Sequence, residues 1–233
     1  MAHKWRMIKT GLVLMGKPLK VPTRPLHFQL EPATGCNLRC QMCQVPDYPR
    51  EMFKNMSLDG FKHIFDQIQP IKVALSGAGE PFLNPDLLGI IRHAAAHGAS
   101  VLTTTNFTLC TKKLEEIVDS GLSLIKISLD ATRPETYEKI RGRDFHGRIV
   151  RDIKELQRIK RAKDCRTPYV RLQFVLQADG IPEIEEFVPL ARELGANSVY
   201  YQPLETLLVS DKKDSLTAGV TFDRLREALQ KAR

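Results

Sequence analysis

From residue 27 onward the chain alternates two hydrophobic periods, and this alternation restricts its fold more than any other feature. Extended apolar segments fall at 27–31, 71–76, 99–105, 124–129, 169–176 and 198–203. Between them apolar residues recur at helical spacing. Leu58, Phe61, Ile64, Phe65 and Ile68 mark the first helix, and Leu87, Leu88, Ile90, Ile91 and Ala94 the second. Leu114, Ile117 and Val118 mark a third, Ile149, Ile153, Leu156 and Ile159 a longer fourth, and Phe187, Val188, Leu190, Ala191 and Leu194 a fifth. Ser57 stands where an N-cap is expected, and Gly98, Gly121 and Gly195 where left-handed C-caps are expected. Pro134 suits a first helical turn. Successive βα units require parallel strands joined by right-handed crossovers. Six strands fall short of the eight of a closed barrel. The expected fold is therefore α/β: a partial (β/α)6 TIM-like barrel of parallel strands with outer helices.

A chain of 233 residues with 42% hydrophobic residues can bury one substantial core and is not a disordered polypeptide. Its +8 formal charge is uneven. Before Glu31 there are six basic residues (Lys4, Arg6, Lys9, Lys17, Lys20, Arg24) and no acidic one, so residues 1–26 read as a basic N-terminal extension. A second basic run, 151–166, is interspersed with Asp152, Glu155 and Asp164 and reads as a solvated helix face. The second run has no aromatic and the first a single one, Trp5, short of the repeated interleaving of a single-strand binder, which argues against nucleic acid as the partner. The apolar stretch 11–16 is too short to span a bilayer. Residues 27–206 form the expected core domain. Residues 207–233 add a polar linker, Ser210–Ser215, and one amphipathic helix, Phe222–Ala232, with Thr221 as its cap. Five cysteines, an odd number with three in one cluster, suit a reducing compartment and hence the cytoplasm.

That cluster is Cys36-Asn37-Leu38-Arg39-Cys40-Gln41-Met42-Cys43, directly after the first strand. In such folds chemistry sits beyond the carboxyl ends of the strands, where this loop falls. Thiolates so closely spaced are metal ligands more often than disulfide partners. A zinc knuckle would need a fourth ligand, and the next candidate, His63, lies on a helix where solvation is the simpler role. Cys40 and Cys43 form C-x-x-C, but the flanks are not those of a redox disulfide. An iron–sulfur cube usually takes four thiolates. Three would leave one iron open, and that is the favoured reading. Cys110 and Cys165 are isolated and read as small semi-buried residues.

Other strand ends carry polar groups on the same side. The second strand runs into Gly77-Ala78-Gly79-Glu80-Pro81, where small residues let a ligand approach the backbone and Glu80 can accept from an ammonium group. The third ends in Thr103-Thr104-Thr105-Asn106 and the fourth in Ser128-Leu129-Asp130, with Asp130 also suited to capping the next helix. Arg141-Gly142-Arg143 offers a guanidinium for a carboxylate, or else a solvated arginine.

In this order and spacing, the cysteine triplet, Gly-Ala-Gly-Glu-Pro, Ser-Leu-Asp and Tyr137-x-x-Ile140-Arg141-Gly142 resemble the radical S-adenosylmethionine superfamily over about residues 27–205. Glu31-Pro32-(x)3-Cys36-Asn37-Leu38-Arg39-Cys40 is most similar to the subgroup with a C-terminal SPASM or twitch domain. The resemblance implies that Cys36, Cys40 and Cys43 hold a [4Fe–4S] cluster, whose fourth iron is chelated by S-adenosylmethionine. It implies that Glu80 and the Gly77-Ala78-Gly79 backbone take the methionyl ammonium, and that Ser128 and Arg141 take the carboxylate. Asn106 would lie near the ribose, and Met42, Val175, Leu176 and Gln177 near the adenine. Reductive cleavage would yield a 5′-deoxyadenosyl radical that abstracts hydrogen from a peptide or small-molecule substrate, with a flavodoxin or ferredoxin as reductant. No cysteine follows Cys165, so the auxiliary clusters of the SPASM subgroup have no ligands in this sequence. Two other readings stay open: an iron–sulfur electron carrier or sensor, and a catalytically incomplete scaffold that binds S-adenosylmethionine.

Overall fold

The computed structural model describes residues 2–204 and 216–231. Six strands form one sheet in sequential order: β1 (His27–Leu30), β2 (Lys72–Leu75), β3 (Ser100–Thr105), β4 (Leu124–Ser128), β5 (Tyr169–Leu176) and β6 (Ser198–Pro203). Every neighbouring pair is parallel. Helices α2 (Leu58–Ile68), α3 (Leu87–Ala96), α4 (Leu114–Asp119), α5 (Pro134–Arg141), α6 (His146–Ala162) and α7 (Ile184–Glu193) return the chain between strands. This is the partial TIM-like barrel that the alternation predicts. The linker expected at Ser210–Ser215 lies outside the described residues.

The helix boundaries follow from local chemistry. Ser57 Oγ accepts from Gly60 N at 3.1 Å and caps α2. Gly98, Gly121 and Gly195 take the left-handed conformation after α3, α4 and α7. Thr221 Oγ1 accepts from Arg224 N at 3.2 Å at the start of α8 (Phe222–Lys231).

Strand side chains alternate between two environments. Val73, Leu75, Val101, Ile125, Ile127, Val170, Leu172 and Phe174 face the helices and form the core with Phe61, Ile90, Ile117, Ile153 and Phe187. Each such side chain, fully buried, contributes roughly 1.5–3 kcal/mol from burial. The opposite parity gives Lys72 and Ala74, Thr104, Lys126 and Ser128, and Arg171, Gln173 and Val175, which face the concave side of the sheet.

The basic extension contains a helix that the composition did not announce, α1 (Ala2–Met15). Arg6 secures it by donating to the carbonyls of Gln69, Ile68 and Pro25, so it serves as a cationic cap on the last turn of α2. Trp5, Ile8, Leu12 and Met15 lie exposed along its outer face. Among the described residues no helix is long and apolar enough to cross a membrane. The second basic run falls on α6, where Lys160 and Asp152 are buried rather than solvated, Asp152 accepting from Thr111 Oγ1 at 2.6 Å.

Gly147, early in α6, has open space around its missing side chain. Gly147→Ala is expected to stabilise the chain by roughly 0.5–1 kcal/mol, chiefly by restricting the unfolded state. Thermal unfolding should show a melting temperature higher by about 1–4 °C.

Candidate functional site

The cysteine loop leaves β1 and is gripped from two sides. On one side lies the turn after β2, where Glu80 N donates to Gly35 O at 2.7 Å. A Cβ at Gly79 would sit 2.1 Å from Ala33 O and 2.7 Å from Gly35 O, so only glycine permits this approach. On the other side lies the end of α5, where Gln41 N donates to Ile140 O at 3.0 Å. Gly142 caps α5 at φ +81° with its Cα against the Arg39 carbonyl.

Between these grips Cys36, Cys40 and Cys43 line one cavity of about 130 Å3, together with Met42, Gly77, Ala78 and Gly79. Glu80, Asn106, Ser128 and Arg141 complete its wall, with Thr104 and Thr105 from the end of β3. A second cavity of about 330 Å3 shares Met42, Cys43, Ser128 and Arg141, then extends along the sheet to Gln173, Val175 and Gln202.

Electrostatically the site is built around Arg141. Its guanidinium is buried, ion-paired with the fully buried Asp130, and 3.5 Å from Cys40 Sγ. Burial opposes the charge, but Asp130 and Cys40 more than compensate and hold the Arg141 pKa above its ordinary value. Arg141 is thus neither solvated nor free to move. Asp130, expected as a helix cap, instead accepts from Val175 N at 2.7 Å and anchors the arginine. Burial pushes the Cys36 thiol up to about 11 and raises that of Cys43. Such thiols keep their protons near neutral pH until a metal displaces them.

Glu80 is also more constrained than a free acceptor. Its carboxylate accepts from Thr105 Oγ1 at 2.6 Å, Asn106 N at 2.7 Å and Phe82 N at 3.0 Å, tying the β2 turn to the end of β3. Burial raises its pKa against these hydrogen bonds. Asn106 lies beside the cysteines, donating to Asn37 Oδ1 at 3.0 Å and reaching Cys36 Sγ at 3.8 Å.

Leu176 lines neither cavity. It shares the parity of Leu172 and Phe174 and packs against the core, and Val175 takes the cavity-facing place. Gln177 is fully buried and accepts from Gln41 Nε2 at 3.1 Å, holding the cysteine loop from below. Cys110 is entirely inside the core, and Cys165 donates to Thr167 O at 3.2 Å. His63 is exposed on α2 and pairs with Gln67. Sequence reasoning assigned no role to Glu31, whose Oε1 accepts from Ala78 N at 2.6 Å and Gly79 N at 3.0 Å. Its position at the end of β1, level with the other polar strand ends, was the available signal.

The residues fit an iron–sulfur cluster with a carboxylate-bearing ligand. Three soft sulfur donors from one loop share one cavity. Among the described residues no three His, Cys, Asp or Glu side chains form a group for a single metal ion. The Arg141 Nε is buried without a hydrogen-bond partner, a donor in want of an acceptor.

Comparison with known proteins agrees. The profile of the Radical SAM superfamily matches residues 30–170, and the chain belongs to that superfamily, a family of enzymes that use a [4Fe–4S] cluster and S-adenosylmethionine. An AdoMet-dependent heme synthase of Methanosarcina barkeri is 27% identical over 175 residues, covering 74% of this chain and 48% of the relative. A GTP 3′,8-cyclase of Microcystis aeruginosa is 33% identical over 136 residues, covering 53% of this chain and 41% of the relative. Among solved structures, Streptococcus suis SuiB bound to precursor peptide SuiA superposes with a TM-score of 0.73 at 18% identity, covering 89% of this chain and 46% of SuiB. The enzyme anSMEcpe with bound AdoMet gives a TM-score of 0.59 at 16% identity, covering 77% and 51%. The chain spans about half the length of the curated relatives it matches.

Proposed function

We propose that this protein is a radical S-adenosylmethionine enzyme that abstracts hydrogen from a peptide or small-molecule substrate. The observation that carries this reading is the sharing of one cavity by three thiols, a glycine-rich turn and an anchored arginine with an unpartnered N–H. Bound there, the cluster and S-adenosylmethionine would supply reductive carbon–sulfur cleavage and radical hydrogen abstraction.

The chain's own residues would bind and orient. Cys36, Cys40 and Cys43 would ligate three irons. With the Ala78 and Gly79 amides taken by Glu31, the turn has carbonyls to offer, and these with Glu80 suit an ammonium group. Arg141 and Ser128 suit the carboxylate, the Arg141 guanidinium being held in place by Asp130. Asn106 steadies the Cys36 end of the loop. Met42 and Val175 provide the apolar wall for the adenine. Free thiols in a metal-binding loop suit the cytoplasm, and a flavodoxin or ferredoxin suits the reductant. The peptide alternative draws support from SuiB, which binds a precursor peptide.

Anaerobic reconstitution followed by S-adenosylmethionine and dithionite tests the reading, with 5′-deoxyadenosine measured by mass spectrometry. Product is expected from wild type and not from the Cys36→Ala/Cys40→Ala/Cys43→Ala protein. No product from a fully loaded cluster would favour electron transfer or sensing instead. Arg141→Lys, which keeps the charge but loses the fork, should weaken S-adenosylmethionine binding by about tenfold. Unchanged affinity would refute the assigned carboxylate site.

A further inference from the structure

The concave side of the sheet holds cations that have no counter-ion among the described residues. Strand parity turns Lys72, Lys126 and Arg171 to that side, and none of the three forms an ion pair with a described residue. Arg171 donates only to Ser198 Oγ, at 3.1 Å. Lys126 and Arg171 are direct cross-strand partners, and so are Ser128 and Gln173 one inward-facing position further along. Lys126 and Arg171 therefore lie about 6.6 Å along the strands from residues that line the larger cavity, and Lys72, level with Ser100, lies lower on β2. Burial lowers the Lys126 pKa, and the Arg171 and Lys72 charges lower it further, so Lys126 senses both of the other cations. Like charges gathered on a half-buried surface are unfavourable until an anion joins them.

An independent feature points the same way. Gln173 is 6% exposed and donates through Nε2 to Gln202 Oε1 at 3.2 Å, but its own Oε1 has no hydrogen-bond partner among the described residues. It lines the larger cavity, between the cationic row and the cysteine loop. A buried amide oxygen left unpaired is costly, and a ligand with an N–H or O–H at that height would satisfy it.

We propose that this concave face is the substrate site and that the substrate is a phosphorylated compound, with its phosphate groups among Lys72, Lys126 and Arg171 and a hydrogen-bond donor on Gln173 Oε1. The proposal rests on the cofactor reading of the adjoining cavity and deepens it by naming a substrate class. Three positive charges exceed what one carboxylate neutralises, whereas a phosphate group carries close to two negative charges at neutral pH. An arginine fork and lysine ammonium groups are donors suited to phosphate oxygens. Such a substrate would place its unphosphorylated part toward the cysteine loop, where hydrogen abstraction would occur.

Inorganic pyrophosphate is the probe, titrated calorimetrically into the full chain with its cluster reconstituted. Saturable binding is expected, weakened at least tenfold in Lys126→Gln and in Arg171→Gln and weakened by added salt. S-adenosylmethionine affinity should stay within twofold in both variants. Both should melt no lower than wild type, because each removes a repulsive charge; this shows that lost binding is not lost folding. Failure of pyrophosphate to bind wild type, or binding indifferent to both substitutions, would overturn the proposal. Citrate binding as tightly, with the same sensitivity, would overturn the assignment to phosphate. Pyrophosphate bound through these residues by a protein that forms no 5′-deoxyadenosine would overturn the cofactor reading and leave the anion site standing.

Discussion

Asp130→Ala is expected to cost roughly 3–5 kcal/mol, the largest stability loss of any single substitution at the site. The carboxylate it removes is fully buried, and its departure leaves the Arg141 guanidinium buried with no anion beside it. It also deprives Val175 N of its acceptor at the end of β5. At about 2–4 °C per kcal/mol, the melting temperature should fall by about 6–20 °C. Asp130→Asn keeps the shape and a polar oxygen for Val175 N, and should recover part of the loss. If Asp130→Ala melted within a degree or two of wild type, the pair would not be the anchor of Arg141.

Gly79→Ala should leave the fold standing but abolish cluster loading. The added methyl would fall on two backbone carbonyls, at 2.1 and 2.7 Å, which cannot swing aside as a side chain would. Either the turn retreats from the cysteine loop or the loop gives way, and the Glu80 N to Gly35 O bond is lost in both cases. Overpacking of this kind costs about 1–3 kcal/mol. Iron content and the visible absorbance of the reconstituted protein should drop at least tenfold, while far-ultraviolet circular dichroism stays close to wild type. Normal iron incorporation would show that the loop tolerates displacement, contrary to the close packing described above.

The barrel was legible because its signal is repeated: each βα unit restates the same two periods, and capping residues such as Ser57 and Gly98 punctuate them. Helix α1 was not, because charge masks its segment, and the hydrogen bonds of Arg6 to the end of α2 join residues far apart in sequence. The cysteines declared themselves through close spacing on one loop. Glu80 and Arg141 could be selected from the sequence, but their partners could not. Nothing local links Asp130 to Arg141 across the whole of α5, or Glu31 to a turn 47 residues later. Leu176 shows the limit of reading by strand ends, since a shift of one residue exchanges the cavity for the core.

The alternation of strand side chains has a consequence for how such a protein can change. In the proposed function, residues near the strand ends and their loops would serve initiation, which is common to every reaction the scaffold can run. Positions two or four residues earlier on the same strands, such as Lys126 and Arg171, touch none of that apparatus. They occupy separate rungs of one ladder, and the helix-facing residues between them keep the scaffold intact whichever rung is altered. Exchanging the lower rungs would redirect the choice of molecule without retuning the trigger above it. Depth along the strand is thus a coordinate on which starting the chemistry and selecting its target can diverge independently.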